Sequence, residues 1–201
     1  MPEKNAMEKA VFLDRDGVII EDAGYVGEIE RVKFIPGAGQ AIRLLNENGF
    51  KVIIITNQAG VARGYFSEEA VEEINTYVQE TLAKEGALID KTYYCPHHKE
   101  GVIEEYRKDC YYRKPSPGMI EEAVRDFHID LKRSFLIGDK GSDIEAGRRA
   151  GCKTILLAGE NTQESAAGSE VVSDYTASNL FEAVKWLMKY GAGKVSPHAQ
   201  G

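Results

Sequence analysis

The chain has 201 residues, a formal net charge of −7, 43% hydrophobic and 28% charged residues, which suit a globular protein with a single core. That charge argues against binding through attraction to nucleic-acid phosphates or anionic lipid, so an anionic small molecule would have to be met by local cations and a metal ion. No apolar run reaches membrane-spanning length, the start (Met1-Pro2-Glu3-Lys4-Asn5) lacks the apolar core of a signal peptide, and three cysteines favour a reducing cytoplasm over a disulfide framework.

In chain order, Val11 to Leu13 read as a short buried strand, followed by Asp14-Arg15-Asp16 and turned by Gly17. A loop rich in Asp and Gly, Glu21 to Gly27, precedes a helix over about Ala38 to Asn48, with Ile42, Leu44 and Leu45 as its apolar face and Gly49 as its stop. Val52 to Ile55 form a β-branched run of the kind covered on both faces by helices, and it ends in Thr56-Asn57-Gln58. Ser67 caps a helix in which Val71, Ile74, Val78 and Leu82 recur at helical spacing, with acids in its first turn. Lys91 to Tyr94 read as another strand. Residues 95–113 have no period and are rich in Cys, His and charge, which predicts a long loop in need of a function or a staple.

Ser116-Pro117 opens a helix that runs to Phe127. Ser134 to Ile137 is a further buried strand, ending in Gly138-Asp139-Lys140-Gly141-Ser142-Asp143. A helix to Ala150, a stop at Gly151 and a strand from Lys153 to Leu157 follow. Ala158 to Glu170 read as a polar loop, Ser178 as the cap of a last helix carrying Leu180, Val184 and Leu187, and 191–201 as a disordered tail. No internal repeat is present. The alternation predicts one domain over residues 1–190, an α/β fold with a parallel sheet and right-handed crossovers, and a monomer.

The chemistry is concentrated at strand ends. In a parallel sheet, strand ends of one sense share an edge, so Asp14 and Asp16, Thr56, Lys114, and Asp139 with Asp143 could converge there. Two acids one residue apart can divide the labour of attack and proton transfer. Several carboxylates with one hydroxyl and one lysine suit magnesium-assisted phosphoryl transfer, because Mg²⁺ takes oxygen ligands, here Asp14 and Asp139. Thr56 and Lys114 would bind the equatorial phosphoryl oxygens. Read singly, each residue has an ordinary alternative, such as a helix cap for Asp139 and Asp143.

Four segments, Asp14-Arg15-Asp16-Gly17-Val18, Thr56-Asn57-Gln58, Arg113-Lys114-Pro115 and Gly138-Asp139-Lys140-Gly141-Ser142-Asp143, resemble the motif set of the haloacid-dehalogenase-like phosphatases. Within that family the chain is similar to the branch of heptose 1,7-bisphosphate 7-phosphatases and histidinol-phosphate phosphatases. Gly24-Tyr25-Val26, the stretch from Asn57 to Gly64, and Cys95-Pro96-His97-His98 add to the likeness, which spans about Val11 to Leu157. The resemblance implies a Rossmann-like three-layer sandwich and a two-step double displacement. In it Asp14 becomes an aspartyl phosphate, and Asp16 protonates the leaving alcohol and then deprotonates water. It also implies that Asp16 gives its backbone carbonyl to magnesium, and that Asp143 holds a metal-bound water or Lys114. The implied substrate is a phosphorylated sugar, a heptose bisphosphate of cell-envelope sugar-nucleotide synthesis. The alternatives are histidinol phosphate or another small ester, a nucleic-acid 3′-phosphatase, and a non-catalytic binding module.

Cys95, His97 and Cys110 carry three ligands of a structural zinc loop. The branch it resembles has its fourth ligand, a Cys, where this chain has Tyr112. His98, Asp109 or water could fill that place, or the loop binds no zinc and is held by Tyr106, Tyr111 and Tyr112. Cys152 reads as a small core residue, and neither His128 nor His198 has a partner pattern. The spacing between motifs leaves no room for a separate cap domain, so three loops, 21–27, 58–65 and 95–113, should wall the pocket. Asp22, Tyr25, Asn57, Gln58, Arg63, Arg113 and Lys140 are the candidate substrate contacts.

Overall fold

A computed structural model describes residues 7–158 and 172–190. Six parallel strands, β1 (Ala10–Leu13), β2 (Lys51–Asn57), β3 (Lys91–Cys95), β4 (Phe135–Gly138), β5 (Lys153–Leu157) and β6 (Tyr175–Ala177), form one sheet in the order β3-β2-β1-β4-β5-β6. The helices are α1 (Ala38–Glu47), α2 (Ala59–Ala62), α3 (Glu68–Lys84), α4 (Gly118–Phe127), α5 (Gly141–Ala150) and α6 (Leu180–Tyr190).

The strands are buried without a polar face because helices cover both sides. Val11, Leu13, Ile54 and Ile137 point toward Ile42 and Leu45 of α1, Ile74 and Val78 of α3, and Val184 and Leu187 of α6. Phe12, Ile53, Ile55 and Leu136 point the other way, toward Met119 and Ile120 of α4 and Ala146 of α5. Period-two alternation within the strands thus yields three layers. Each fully buried Ile or Leu contributes roughly 1.5–3 kcal/mol.

This is the α/β three-layer fold expected, and among the described residues no cap domain stands apart from it. No described helix is long and apolar enough to cross a membrane. Ser67 caps α3, its hydroxyl accepting from the Ala70 N–H at 3.3 Å, and Gly151 ends α5 with φ 90°. Three local differences have simple causes. The β-branched run continues through Thr56 and Asn57 because β3 pairs with them. The strand β6 is too short to show a period. At the start of α6 the cap is Asn179, whose Oδ1 accepts the Glu182 N–H at 2.9 Å, while Ser178 donates its own N–H and hydroxyl to Glu182. The stretch 159–170 and the tail 191–201 lie outside the described residues.

Strand order reverses at β1, which lies between β2 and β4. Such a switch point opens a crevice at the carboxyl ends of its strands, where ligands of open α/β sheets bind. Leu13 pairs with Ile54 and Ile137, so the residues after β1 and β4 leave the sheet side by side.

Candidate active site

Asp14, Asp139 and Asp143 meet at that crevice, with carboxylate oxygens all within 4.8 Å of one another. Two glycines permit the approach. Gly17 turns the chain after β1 with φ 83°, and a Cβ there would collide with the Asp139 carboxylate. At Gly138 a Cβ would strike the Asp143 side chain.

Lys114 is the buried counter-charge. Its Nζ lies 3.1 Å from Asp14 Oδ1 and 2.6 Å from Asp143 Oδ1, and donates to the Ile55 carbonyl at 2.7 Å. Burial disfavours its charge, but Asp14 and Asp143 more than offset that and raise its pKa. Asp143 also caps α5, its Oδ2 accepting the Lys140 N–H at 3.0 Å. It therefore fills both roles open in the sequence, helix cap and Lys114 partner.

Lys114 pairs with two of the three carboxylates; Asp139 instead has the half-exposed Lys140 ammonium 3.9 Å from its Oδ2. Asp139 Oδ1 is buried and accepts no hydrogen bond. Burial first, then Asp14, Asp143 and Asp22, push the Asp139 pKa up to about 7 against the pull of Lys140. Clustered carboxylate oxygens, one of them orphaned, fit a hard divalent cation such as Mg²⁺.

A stability measurement tests this. The folded, metal-free chain holds the Asp139 proton to about pH 7, whereas the unfolded chain releases it near 3.8. The folded state binds more protons between those values, so metal-free stability falls as pH rises through them and levels off above. In chelator the unfolding midpoint should drop from about pH 5 to about pH 7.5, with Mg²⁺ restoring most at the upper end. Asp139→Asn should flatten the profile, and a parent midpoint indifferent to pH would exclude Asp139 as the titrating group.

The second aspartate faces a different set. Asp16 Oδ2 accepts from Gln58 Nε2 at 2.8 Å, Arg15 Nε at 3.2 Å and Thr56 Oγ1 at 3.4 Å. Gln58 Nε2 also donates to Thr56 Oγ1 at 2.9 Å. Arg15, the spacer between the two acids, is fully buried and reaches Asn75 Oδ1 of α3 at 2.8 Å. Sequence reasoning missed both Arg15 and Asn75. The available signal was a polar residue inside the apolar stripe Val71-Ile74-Asn75-Val78.

The remaining candidates divide. A cavity of about 320 Å³ is lined by Asp16, Asp22, Tyr25, Asn57, Gln58, Arg113 and Lys140, among others. Lys140 Nζ pairs with Asp22 at 2.8 Å, and Arg113 donates to the His97 carbonyl at 3.2 Å. Asn57 lines the cavity but spends its amide on the backbone of Lys114, donating to its carbonyl and accepting its N–H, both at 3.0 Å. Arg63 is not among the lining residues; its guanidinium lies 5.9 Å from the Tyr25 ring centroid.

Cys95, His97 and Cys110 also meet, with ligand atoms within 4.8 Å, and neither His98 nor Asp109 joins them. Tyr112 is exposed. Three donors fall one short of the four that structural zinc takes. Burial, with Cys110 adding to it, pushes the Cys95 thiol up to about 12, so the metal-free loop holds a protonated thiol. Tyr111 and Tyr112 are exposed, and the Tyr111 hydroxyl, donating to Glu121 at 2.9 Å, ties α4 to the loop. The loop is also held by Tyr106, whose hydroxyl donates to Glu68 at 2.7 Å, and by the Val102 and Ile103 N–H groups on the Ala62 carbonyl.

Known proteins resemble the chain along most of its length. The family profile described as "Haloacid dehalogenase-like hydrolase" matches residues 11–89, and that described as "HAD-hyrolase-like" matches 111–183. The D-glycero-beta-D-manno-heptose-1,7-bisphosphate 7-phosphatase of Rhodopseudomonas palustris is 48% identical over 152 residues, 76% of this chain and 84% of that protein. The D-glycero-D-manno-heptose-1,7-bisphosphate 7-phosphatase of Chlorobaculum tepidum is 43% identical over 183 residues, 88% of this chain and 92% of that one. Among solved structures, D,D-heptose 1,7-bisphosphate phosphatase from B. bronchiseptica, complexed with magnesium and phosphate, superposes with a TM-score of 0.79 at 29% identity, covering 90% of this chain and 98% of that one. The chain belongs to the haloacid dehalogenase-like hydrolase family, on the branch of the heptose 1,7-bisphosphate 7-phosphatases.

Proposed function

We propose that this chain is a Mg²⁺-dependent phosphomonoesterase that removes the 7-phosphate of a D-glycero-D-manno-heptose 1,7-bisphosphate. The observation that carries the reading is the meeting of Asp14, Asp139 and Lys114 at the sheet's switch point, with Asp16 beside them. The names of the relatives supply the substrate.

Asp14 Oδ1 is held by Lys114 and by the Arg15 N–H at 2.8 Å, which leaves Oδ2 to attack phosphorus. As the bond from Asp14 to phosphorus forms, the bond to the sugar oxygen breaks, and Asp16 gives that oxygen its proton. A water then attacks the aspartyl phosphate, Asp16 takes its proton, and inorganic phosphate leaves with Asp14 restored. Mg²⁺, held by Asp14, Asp139 and the Asp16 carbonyl, would offset the repulsion between carboxylate and phosphate dianion. Lys114 and Thr56 would bind the phosphoryl oxygens. Arg113 and Lys140, on the cavity wall, would take the second phosphate.

The test is a panel of phosphate esters assayed with Mg²⁺ and with chelator. Heptose 1,7-bisphosphate should exceed histidinol phosphate in kcat/KM by about 100-fold or more, a margin buried polar groups can supply. Comparable values would sink the substrate assignment, and turnover indifferent to chelator would sink the metal dependence.

A further inference from the structure

We infer that Arg15 and Asn75 are positioning residues for proton transfer. Together they clamp the Asp16 carboxyl so that one defined oxygen faces the leaving group. The inference rests on the reading of Asp16 as general acid and base.

Arg15 is a charged side chain with 1% of its surface exposed, in a place where the fold has no need of charge. Burying a guanidinium is costly, and an ion pair in such a place is weak evidence of added stability, so its use is sought in geometry. All three of its nitrogens are committed. Nε lies 3.2 Å from Asp16 Oδ2, NH2 lies 3.1 Å from Oδ2 and 3.3 Å from Oδ1, and NH1 donates to Asn75 Oδ1 at 2.8 Å. The planar fork therefore has one edge on the carboxyl and the other on α3, an element packed into the core. Asn75 is itself buried.

The consequence for Asp16 is an asymmetry between its oxygens. Oδ2 faces the N–H groups of Gln58 and Arg15 and the Thr56 hydroxyl. A proton on that oxygen would point at donors. Oδ1 meets one donor, Arg15 NH2, at 3.3 Å. The transferable proton thus belongs on Oδ1, and the clamp fixes that assignment on a residue that lines the cavity. Arg15 and Asn75 do this without touching substrate; neither is among the cavity's lining residues.

The experiment compares the first-turnover release of alcohol from an alkyl phosphate, which needs its leaving oxygen protonated, with that of the aryl alcohol from an aryl phosphate, whose leaving group departs as an anion. The later attack of water, in which Asp16 serves both esters alike, is thereby kept out of the readout. Asn75→Leu removes the anchor while keeping the helix. It should lower the first-turnover rate on the alkyl ester by about tenfold, part of the ~10²- to 10⁴-fold that general acid–base catalysis supplies, and change that on the aryl ester little. KM should hold for both. Asn75→Asp, which keeps an acceptor for Arg15, should recover most of the alkyl activity, and Arg15→Lys, which lacks the fork, should repeat the Asn75→Leu pattern. A variant that merely loosened the fold would lose both activities together. Asp16→Asn is the control on the underlying reading. If it spares the aryl ester and Asn75→Leu does not discriminate between esters, the positioning role is overturned and the acid stands. If Asp16→Asn itself fails to discriminate, Asp16 is not the acid and the clamp falls with it.

Discussion

Asp14→Asn should lose turnover by about 10³-fold or more, because the amide oxygen cannot form the phosphoryl bond that begins the reaction. The substitution keeps the shape of the side chain and an oxygen able to accept from Lys114 and the Arg15 N–H, both of which bond Asp14 Oδ1. It also removes one charge from a cluster of three acids. The thermal midpoint should therefore stay at or slightly above that of the parent. The measurement is kcat/KM on a phosphate ester beside a melting curve. A folded variant within tenfold of the parent would remove Asp14 from the mechanism.

Lys114→Met should damage both stability and activity. The ammonium is the one buried cation between Asp14 and Asp143, and its removal strands two buried carboxylates. Breaking a buried pair in this way costs about 3–5 kcal/mol. For a chain of this size that lowers the midpoint by about 10 °C. Mutation of a second residue separates the two effects. Adding Asp143→Asn relieves one stranded charge and should return part of the midpoint, yet turnover should stay low because the phosphoryl oxygens still lack their cation. Melting unchanged in the single variant would deny Lys114 its structural part. Activity recovered in the double variant would deny it the chemical one.

The fold was legible to different depths in different places. Strands such as Val52–Ile55 announced themselves because burial on both faces leaves an unbroken apolar run, whereas the strand order that makes β1 a switch point is seen only in the structure. The three residues of β6 and the four of α2 escaped because neither is long enough to display a period. At the site, acids at strand ends could be named, since the topology brings such ends together. What could not be read was which polar groups serve other residues rather than a ligand. Asn57 looks like a substrate contact in the sequence and is spent on the Lys114 backbone. Arg15 reads in the sequence only as the spacer between two acids and is wholly interior. Sequence separation hides such pairings, because Arg15 and Asn75 meet only after α3 has docked on the sheet.

The ladder between β1 and β4 sets Leu13 beside Ile137, and the Asp14 N–H continues it onto the Ile137 carbonyl at 3.1 Å. Because side chains alternate across a sheet, adding or deleting one residue within either strand would send its terminal carboxylate to the opposite face. Evolutionary change in chain length is thereby channelled away from these two strands and into the loops around the crevice. Descendants can vary in what they admit while inheriting the same reacting centre.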